Sequence, residues 1–213
     1  MQIVVKADAQ QKEEFLLKGV PAGVQVNWLS NEAEIPDADA YFDLLFEDEG
    51  PVFTGITHKP VFVNAVITTG TALPANCIRI NGWRGFLKRD ILELCAKDLP
   101  LGGHSSQIYA DAVEILNGLG WKYQRAPDAP GMIAARVIAM IINEAYFGLG
   151  DEISTKTEID IAMKLGTNYP YGPFEWGEKI GLQKIHSLLK KLNEQNSRYA
   201  IAPALEKEVH ANQ

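Results

Sequence analysis

The run from Met132 to about Phe147 is nearly free of charge. Ile133, Val137, Ile138, Met140, Ile141, Ile142, Ala145 and Phe147 would cover almost the whole circumference of a helix. A helix that is apolar on nearly every side has to be buried on most of them. Arg136, Asn143 and Glu144 interrupt the run, and it falls short of the about 20 predominantly apolar residues that cross a bilayer. The chain must therefore cover this helix with further helices, and a second copy of itself would serve well, so a homodimer through the helix is expected. Gly148 and Gly150 are expected to end it, since glycine takes a left-handed C-terminal turn without strain.

Beyond Gly150 the helical character persists. Thr155-x-x-Glu158 reads as a capping box. Ile159, Ala162, Met163 and Leu165 are the expected buried face of the helix it opens, and Gly166 its expected end. Pro170 and Pro173 fix φ and Gly172 permits a tight reversal. Pro173 suits the first position of a new helix closed by Gly181. Ile185, Leu188, Leu189 and Leu192 then share one face of an amphipathic helix, with Lys184, Lys190 and Lys191 facing water.

Upstream the pattern alternates. Short apolar runs at 2–5, 23–29, 41–46, 60–66, 77–80 and 121–125 read as strands, with helices at 10–18 and from Ser105 or Ser106 to Asn117. Residues 89–95 fit a strand or a helix. Strands of continuous apolar character alternating with helices predict a mainly parallel sheet in an α/β layer. Pro127 and Pro130 break that pattern, which gives an α/β domain over 1–126 and an all-helical domain over 127–213.

Composition narrows the partners. A formal net charge of −7 argues against a nucleic-acid backbone, and no run is long and apolar enough to predict a membrane span. Cys77 and Cys95 have no metal-ligand spacing and read as buried free thiols, so no metal is expected. Met1-Gln2 leads straight into a strand, with no basic segment and apolar run of a signal peptide, so a cytoplasmic protein is expected.

Several fixed positions recur together in the helical half: Asp128-Ala-Pro-Gly-Met-Ile-x-x-Arg136, Asn143-Glu144-Ala145, Glu158-Ile-Asp-x-Ala-Met-Lys-Leu-Gly166, Pro170-x-Gly-Pro-Phe-Glu175 and Gly181-Leu182. This set resembles the C-terminal domain of the 3-hydroxyacyl-CoA dehydrogenases. The resemblance implies a helical domain that dimerises and covers an acyl-CoA site, behind an N-terminal Rossmann domain that binds NAD. The first half is similar to that domain in reduced form. Residues 37–47 resemble the family's aspartate-alanine-aspartate strand, and Pro60 to Ala65 the strand ending in an Asn, here Asn64. Residues 78–95 resemble the strands carrying the catalytic His and its Glu.

Dinucleotide binding in a Rossmann fold uses Gly-x-Gly-x-x-Gly directly after the first strand, so that the backbone can approach the pyrophosphate at a helix N-terminus. Here Lys6-Ala-Asp-Ala-Gln-Gln-Lys-Glu-Glu14 follows, with no glycine before Gly19. Asp8, Glu13 and Glu14 put negative charge where phosphates would lie, although acids are also good first-turn residues. Both readings oppose NAD, and no cofactor is expected.

The resemblance implies a His general base oriented by a Glu and supported by an Asn. Those positions fall on Asn81, Glu93 and Ala135, so Glu93 alone is retained. An amide does not take up a proton near neutral pH as imidazole does. Glu93 also reads as a structural carboxylate paired with Arg89 or Arg136, and Asn81-Gly82 as a two-residue hairpin turn. Gly102-Gly-His-Ser-Ser106 opens a helix and reads either as a turn with an N-cap or as an anion site. Asn64, Asn81, His104 and Ser105 are the candidate ligand-binding residues, expected near the C-terminal ends of the strands. His58, His186 and His210 read as solvated.

These residues favour a 3-hydroxyacyl-CoA dehydrogenase relative that lacks NAD-dependent hydride transfer and keeps an acyl-CoA-like or other small ligand between its domains. The alternatives are an active NAD-dependent enzyme with an altered site, and a structural or regulatory subunit that pairs with a complete dehydrogenase.

Overall fold

The computed structural model describes residues 1–31, 34–95 and 104–211, the side chains of 104–106 excepted. It divides into two compact units, Met1–Met132 and Ile133–Gln213.

In the first unit the order is β1 (Gln2–Lys6), α1 (Ala9–Lys18), β2 (Gln25–Trp28), β3 (Ala40–Asp43), α2 (Phe46–Glu49), β4 (Val61–Asn64), β5 (Cys77–Ile80), β6 (Ile91–Cys95), α3 (His104–Gly118) and β7 (Lys122–Arg125). The sheet runs β2-β1-β3-β4-β5-β6-β7. Every neighbouring pair is parallel except β5 and β6. The alternation of strand side chains explains its two apolar faces. Ile3, Val5, Phe42, Phe62 and Ile80 join Phe15, Ile108, Leu116 and Trp121 on one face. Val4, Tyr41, Val61 and Val63 join Phe53 on the other. Phe42 stacks on Phe62 at 4.5 Å between centroids, and Phe15 meets Phe42 edge-on at 5.4 Å.

Three details differ from the expectations or complete them. Phe46 leaves the strand and opens α2, where Glu47, Asp48 and Glu49 suit the positive end of a helix. Residues 91–95 are a strand. Asn81-Gly82 is not a two-residue turn, because the β5–β6 connection runs from 81 to 90. Its left-handed glycine is Gly85, at φ 90°, rather than Gly82.

After β7 the chain stays with the first unit. Asp128 accepts from Gly70 N at 2.8 Å and from the buried Arg79, and Gly131 N donates to Val66 O at 2.8 Å.

The second unit holds α4 (Ala134–Gly150), α5 (Lys156–Thr167), α6 (Pro173–Ile180), α7 (Leu182–Asn193) and α8 (Pro203–Ala211). α4 packs against α6, α7 and α8 and buries Ala135, Ile138, Ala139, Ile142, Asn143 and Tyr146. It passes Gly148 and closes at Gly150, with Asp151 as its C-cap, and the left-handed residue that follows is Glu152 rather than a glycine. α5 opens on the expected Thr155–Glu158 capping box but closes on Asn168, in the left-handed region, rather than on Gly166. Its buried residue is Asp160; Ala162 and Leu165 face outward and Ile159 and Met163 are half-buried. The reason is polar: the N-terminus of α6 draws Asp160 inward. α7 buries Ile185, Leu188, Leu189 and Leu192 as its periodicity predicts. Among the described residues no helix is long and apolar enough to cross a membrane.

Candidate functional site

Where β1 gives way to α1, a Rossmann fold would present a glycine turn and free N–H groups to a pyrophosphate. Here Asp8 occupies that end. Its carboxylate accepts from Gln11 N at 2.7 Å, and Asp8 N donates to the Gln11 side-chain oxygen at 3.2 Å. Arg84 Nη2, from the β5–β6 connection, donates to the same carboxylate at 2.7 Å. Burial pushes the Asp8 carboxyl up, but the Gln11 N–H and the Arg84 guanidinium together hold it below its usual range. Gln11 Nε2 donates to Leu44 O at 2.7 Å. Glu14, one turn on and buried, takes Gly85 N with both oxygens at 2.7 and 2.9 Å. The N-terminal turns of α1 are thus tied to the loop after β5 by two carboxylates.

Asn64, Asn81 and Glu93 come together at the C-terminal ends of β4 and β5 and on β6. Asn81 Nδ2 donates to Glu93 Oε2 at 3.3 Å, and Asn81 N to Glu93 O at 3.3 Å. Asn64 accepts from Gly82 N at 3.0 Å and donates to Leu44 O at 3.0 Å. All three side chains are buried. The amide at position 81 therefore donates to the Glu93 carboxylate, and Arg89 lies over the ring of Phe86, 5.5 Å from its centroid. Ala135 is fully buried in the second unit. His104 stands first in α3, but its side chain and that of Ser105 lie outside the described residues. Among the described residues no cluster of His, Cys, Asp and Glu is suited to a metal.

Three polar anchors escaped the sequence reading. Arg79, 1% exposed, donates to Ala65 O at 2.9 Å, to Val66 O at 3.2 Å, to Ala129 O at 3.3 Å and to Asp128. An arginine inside the apolar strand Cys77-Ile-Arg-Ile80 is the signal that could have found it, since a buried charge demands a partner. Asn143 clasps the chain ahead of α8, donating to Ala200 O at 2.8 Å and accepting from Ala202 N at 2.9 Å. Asp160 caps α6, accepting from Phe174 N at 2.8 Å and Glu175 N at 3.2 Å. Two smaller expectations also need correction. Cys77 is half-buried rather than buried. His186 is not solvated: its side chain is 15% exposed, with Nε2 enclosed 4.0 Å from Glu206.

Residues 131–213 match the family model described as 3-hydroxyacyl-CoA dehydrogenase, C-terminal domain. The chain is 44% identical over 81 residues to 3-hydroxyadipyl-CoA dehydrogenase of Escherichia coli strain K12, a match covering 38% of this chain and 17% of that protein. It is 39% identical over 88 residues to 3-hydroxybutyryl-CoA dehydrogenase of Clostridioides difficile, covering 40% of this chain and 31% of that protein. The chain thus spans well under half the length of the relatives it matches. Among solved structures, (S)-3-hydroxybutyryl-CoA dehydrogenase PaaH1 from Ralstonia eutropha superposes with a TM-score of 0.73. That alignment covers 99% of this chain and 94% of the other at 15% identity, a likeness of fold.

Proposed function

We propose that this chain, a 3-hydroxyacyl-CoA dehydrogenase-like protein whose residues 131–213 carry that family's C-terminal domain, has given up NAD-dependent hydride transfer. The observation that carries the reading is the closed N-terminus of α1. A pyrophosphate would need the N–H groups and positive helix end that Asp8 already satisfies, and it would meet that carboxylate. Arg84 neutralises Asp8 rather than a ligand. The second support is chemical. Removing a proton from a substrate hydroxyl calls for a base that titrates near neutral pH, and Asn81 offers an amide that donates to Glu93.

Isothermal titration of the full chain with NADH tests the reading. No binding heat is expected up to millimolar cofactor, and a micromolar dissociation constant would overturn it. The acyl-CoA-like ligand is tested separately by titration with acetoacetyl-CoA, where saturable binding without NADH oxidation is expected.

The expected homodimer belongs to the same reading. Ile133, Val137, Ile153, Ile161 and Leu165 of the second unit are exposed, Leu165 at 83%. A groove of about 370 Å³ in the same unit is lined by Ile153 together with Ile141, Ala145, Phe147, Ile159 and Met163. Exposed apolar surface of this kind marks interaction sites. Light scattering should return twice the 23.5 kDa chain mass; a monomer at micromolar concentration would remove this part.

A further inference from the structure

Parallel neighbours need a crossover of a dozen or more residues, commonly a helix that covers one sheet face. Two crossovers of the first unit are poor in helix. Residues 44–60 contain only the short α2, and residues 65–76 only a 3-10 turn at Gly70–Ala72. Loops therefore cover the sheet face formed by Val61, Val63 and their neighbours, and they leave a cavity of about 180 Å³. Phe46, Phe53, Ile56, Val61, Val63 and Leu73 form its apolar wall, and Asp43 and Cys77 also line it.

The cavity is built rather than incidental. Asp43, 1% exposed, accepts from Val52 N at 3.1 Å and so fixes one loop. Asn76 donates to Ile56 O at 2.8 Å and Lys59 O at 3.1 Å and so fixes that loop's far end. Thr54, Ala72 and Pro74 form an exposed rim.

We propose that this cavity is a binding site for a small uncharged ring compound that carries one O–H or N–H donor. Size supports the ring: an apolar cavity of about 150 Å³ accommodates benzene, and drug-sized ligands need about 300 Å³ or more. The lining supports the rest. Its apolar side chains favour an uncharged ring, and the Asp43 carboxyl, which already accepts from Val52 N, is the acceptor in the wall that matches a donor. Burial, and after it Asp43, push the Cys77 thiol up to about 11. The site lies wholly within the first unit and involves neither the N-terminus of α1 nor the Asn81–Glu93 pair.

Phenol and toluene have nearly the same shape and differ in the donor. Amide spectra of the ¹⁵N-labelled full chain titrated with each would decide the matter. Phenol is expected to shift Val61, Val63, Leu73 and Cys77 saturably and to bind about tenfold more tightly than toluene, in keeping with one hydrogen bond that toluene cannot make. Ala72→Trp, at the exposed rim, should abolish both sets of shifts without changing the unfolding temperature. Asp43→Leu, which offers no acceptor, should remove the preference for phenol, and the comparison of ligands on the unaltered chain stands even where that variant fails to fold. Absence of saturable shifts at several millimolar phenol would overturn the proposal, as would equal affinity for phenol and toluene.

Discussion

The N-termini of α1 and α6 are closed by the same chemistry to different ends. At α6 the carboxylate comes from another helix: Asp160 of α5 takes Phe174 N and Glu175 N, while Glu175 returns to Gly172 N at 2.9 Å. The close approach is possible because residue 172 has no side chain. A Cβ there would meet Asp160 Oδ1 at 2.3 Å. At α1 the carboxylate is local, Asp8, and a cation from a distant loop neutralises it. In the helical unit the capped terminus is what the Asp160…Gly172-Pro-Phe-Glu175 pattern encodes, so that motif is architecture. In the sheet unit the cap stands where the fold family places a phosphate.

The comparison breaks first at Gly172. Gly172→Ala forces the Asp160 carboxylate from its N–H partners and strands it in a buried place. Overpacking and lost buried hydrogen bonds together predict a loss of roughly 4 kcal/mol, read as a lowered urea midpoint; a loss below about 1 kcal/mol would deny the cap its role. Arg79→Ala comes next, with about 3 kcal/mol expected for leaving one member of an enclosed ion pair without the other. Arg79 bridges β5 to the segment after β7, so hydrogen exchange around Gly70 and Gly131 should speed up in that variant more than exchange in α7. Uniform acceleration would mean that Arg79 supports the unit in general and not this junction.

The helical unit was legible in sequence to the degree that capping and turn chemistry is local. Thr155 and Glu158, Pro173 and the α7 face are read within a few residues. Asp160 was misjudged because its partner lies beyond the next turn, and amphipathic periodicity assigns an inward face without regard to a helix end that needs a carboxylate. In the sheet unit the strands followed from β-branched and aromatic runs, whereas Arg79–Asp128 and Glu14–Gly85 join residues far apart in sequence. The missing glycine turn was visible in Lys6 to Glu14. The Arg84 that completes its replacement was not, because only the course of the β5–β6 connection brings it there.

A milder break concerns Asp8. Asp8→Ala removes a side-chain cap, with about 1 kcal/mol expected. The folded carboxyl lies below its ordinary value of 3.8, so the folded state binds fewer protons than the unfolded chain as pH drops through that range. Its stabilisation is therefore complete above the unfolded value and disappears as pH falls through the depressed one. Unfolding midpoints of the parent and of Asp8→Ala should converge as the pH falls below the ordinary value of 3.8; a gap that stays constant through that fall would assign the effect to packing rather than to the ionised cap. The variant opens the helix end without adding a glycine turn, so NADH binding is not expected in it either.

The smallest effect on stability, and the sharpest on the comparison, belongs to Asn81→His. The imidazole would replace an amide that now donates to Glu93 Oε2 at 3.3 Å. A carboxylate at that distance favours the protonated ring, whereas burial of the position disfavours it. The specific hydrogen bond to an ionised partner is expected to win, so NMR titration should place the new histidine above the ordinary value of about 6.5. Glu93→Gln in the same background should bring it down again. The double comparison separates the two supports of the proposed reading: a His–Glu pair made after β5 and on β6, with the α1 terminus still closed by Asp8, should oxidise no NADH in the presence of acetoacetyl-CoA. Turnover in Asn81→His would show that the α1 terminus admits the cofactor after all, and Asp8 would then be an ordinary cap.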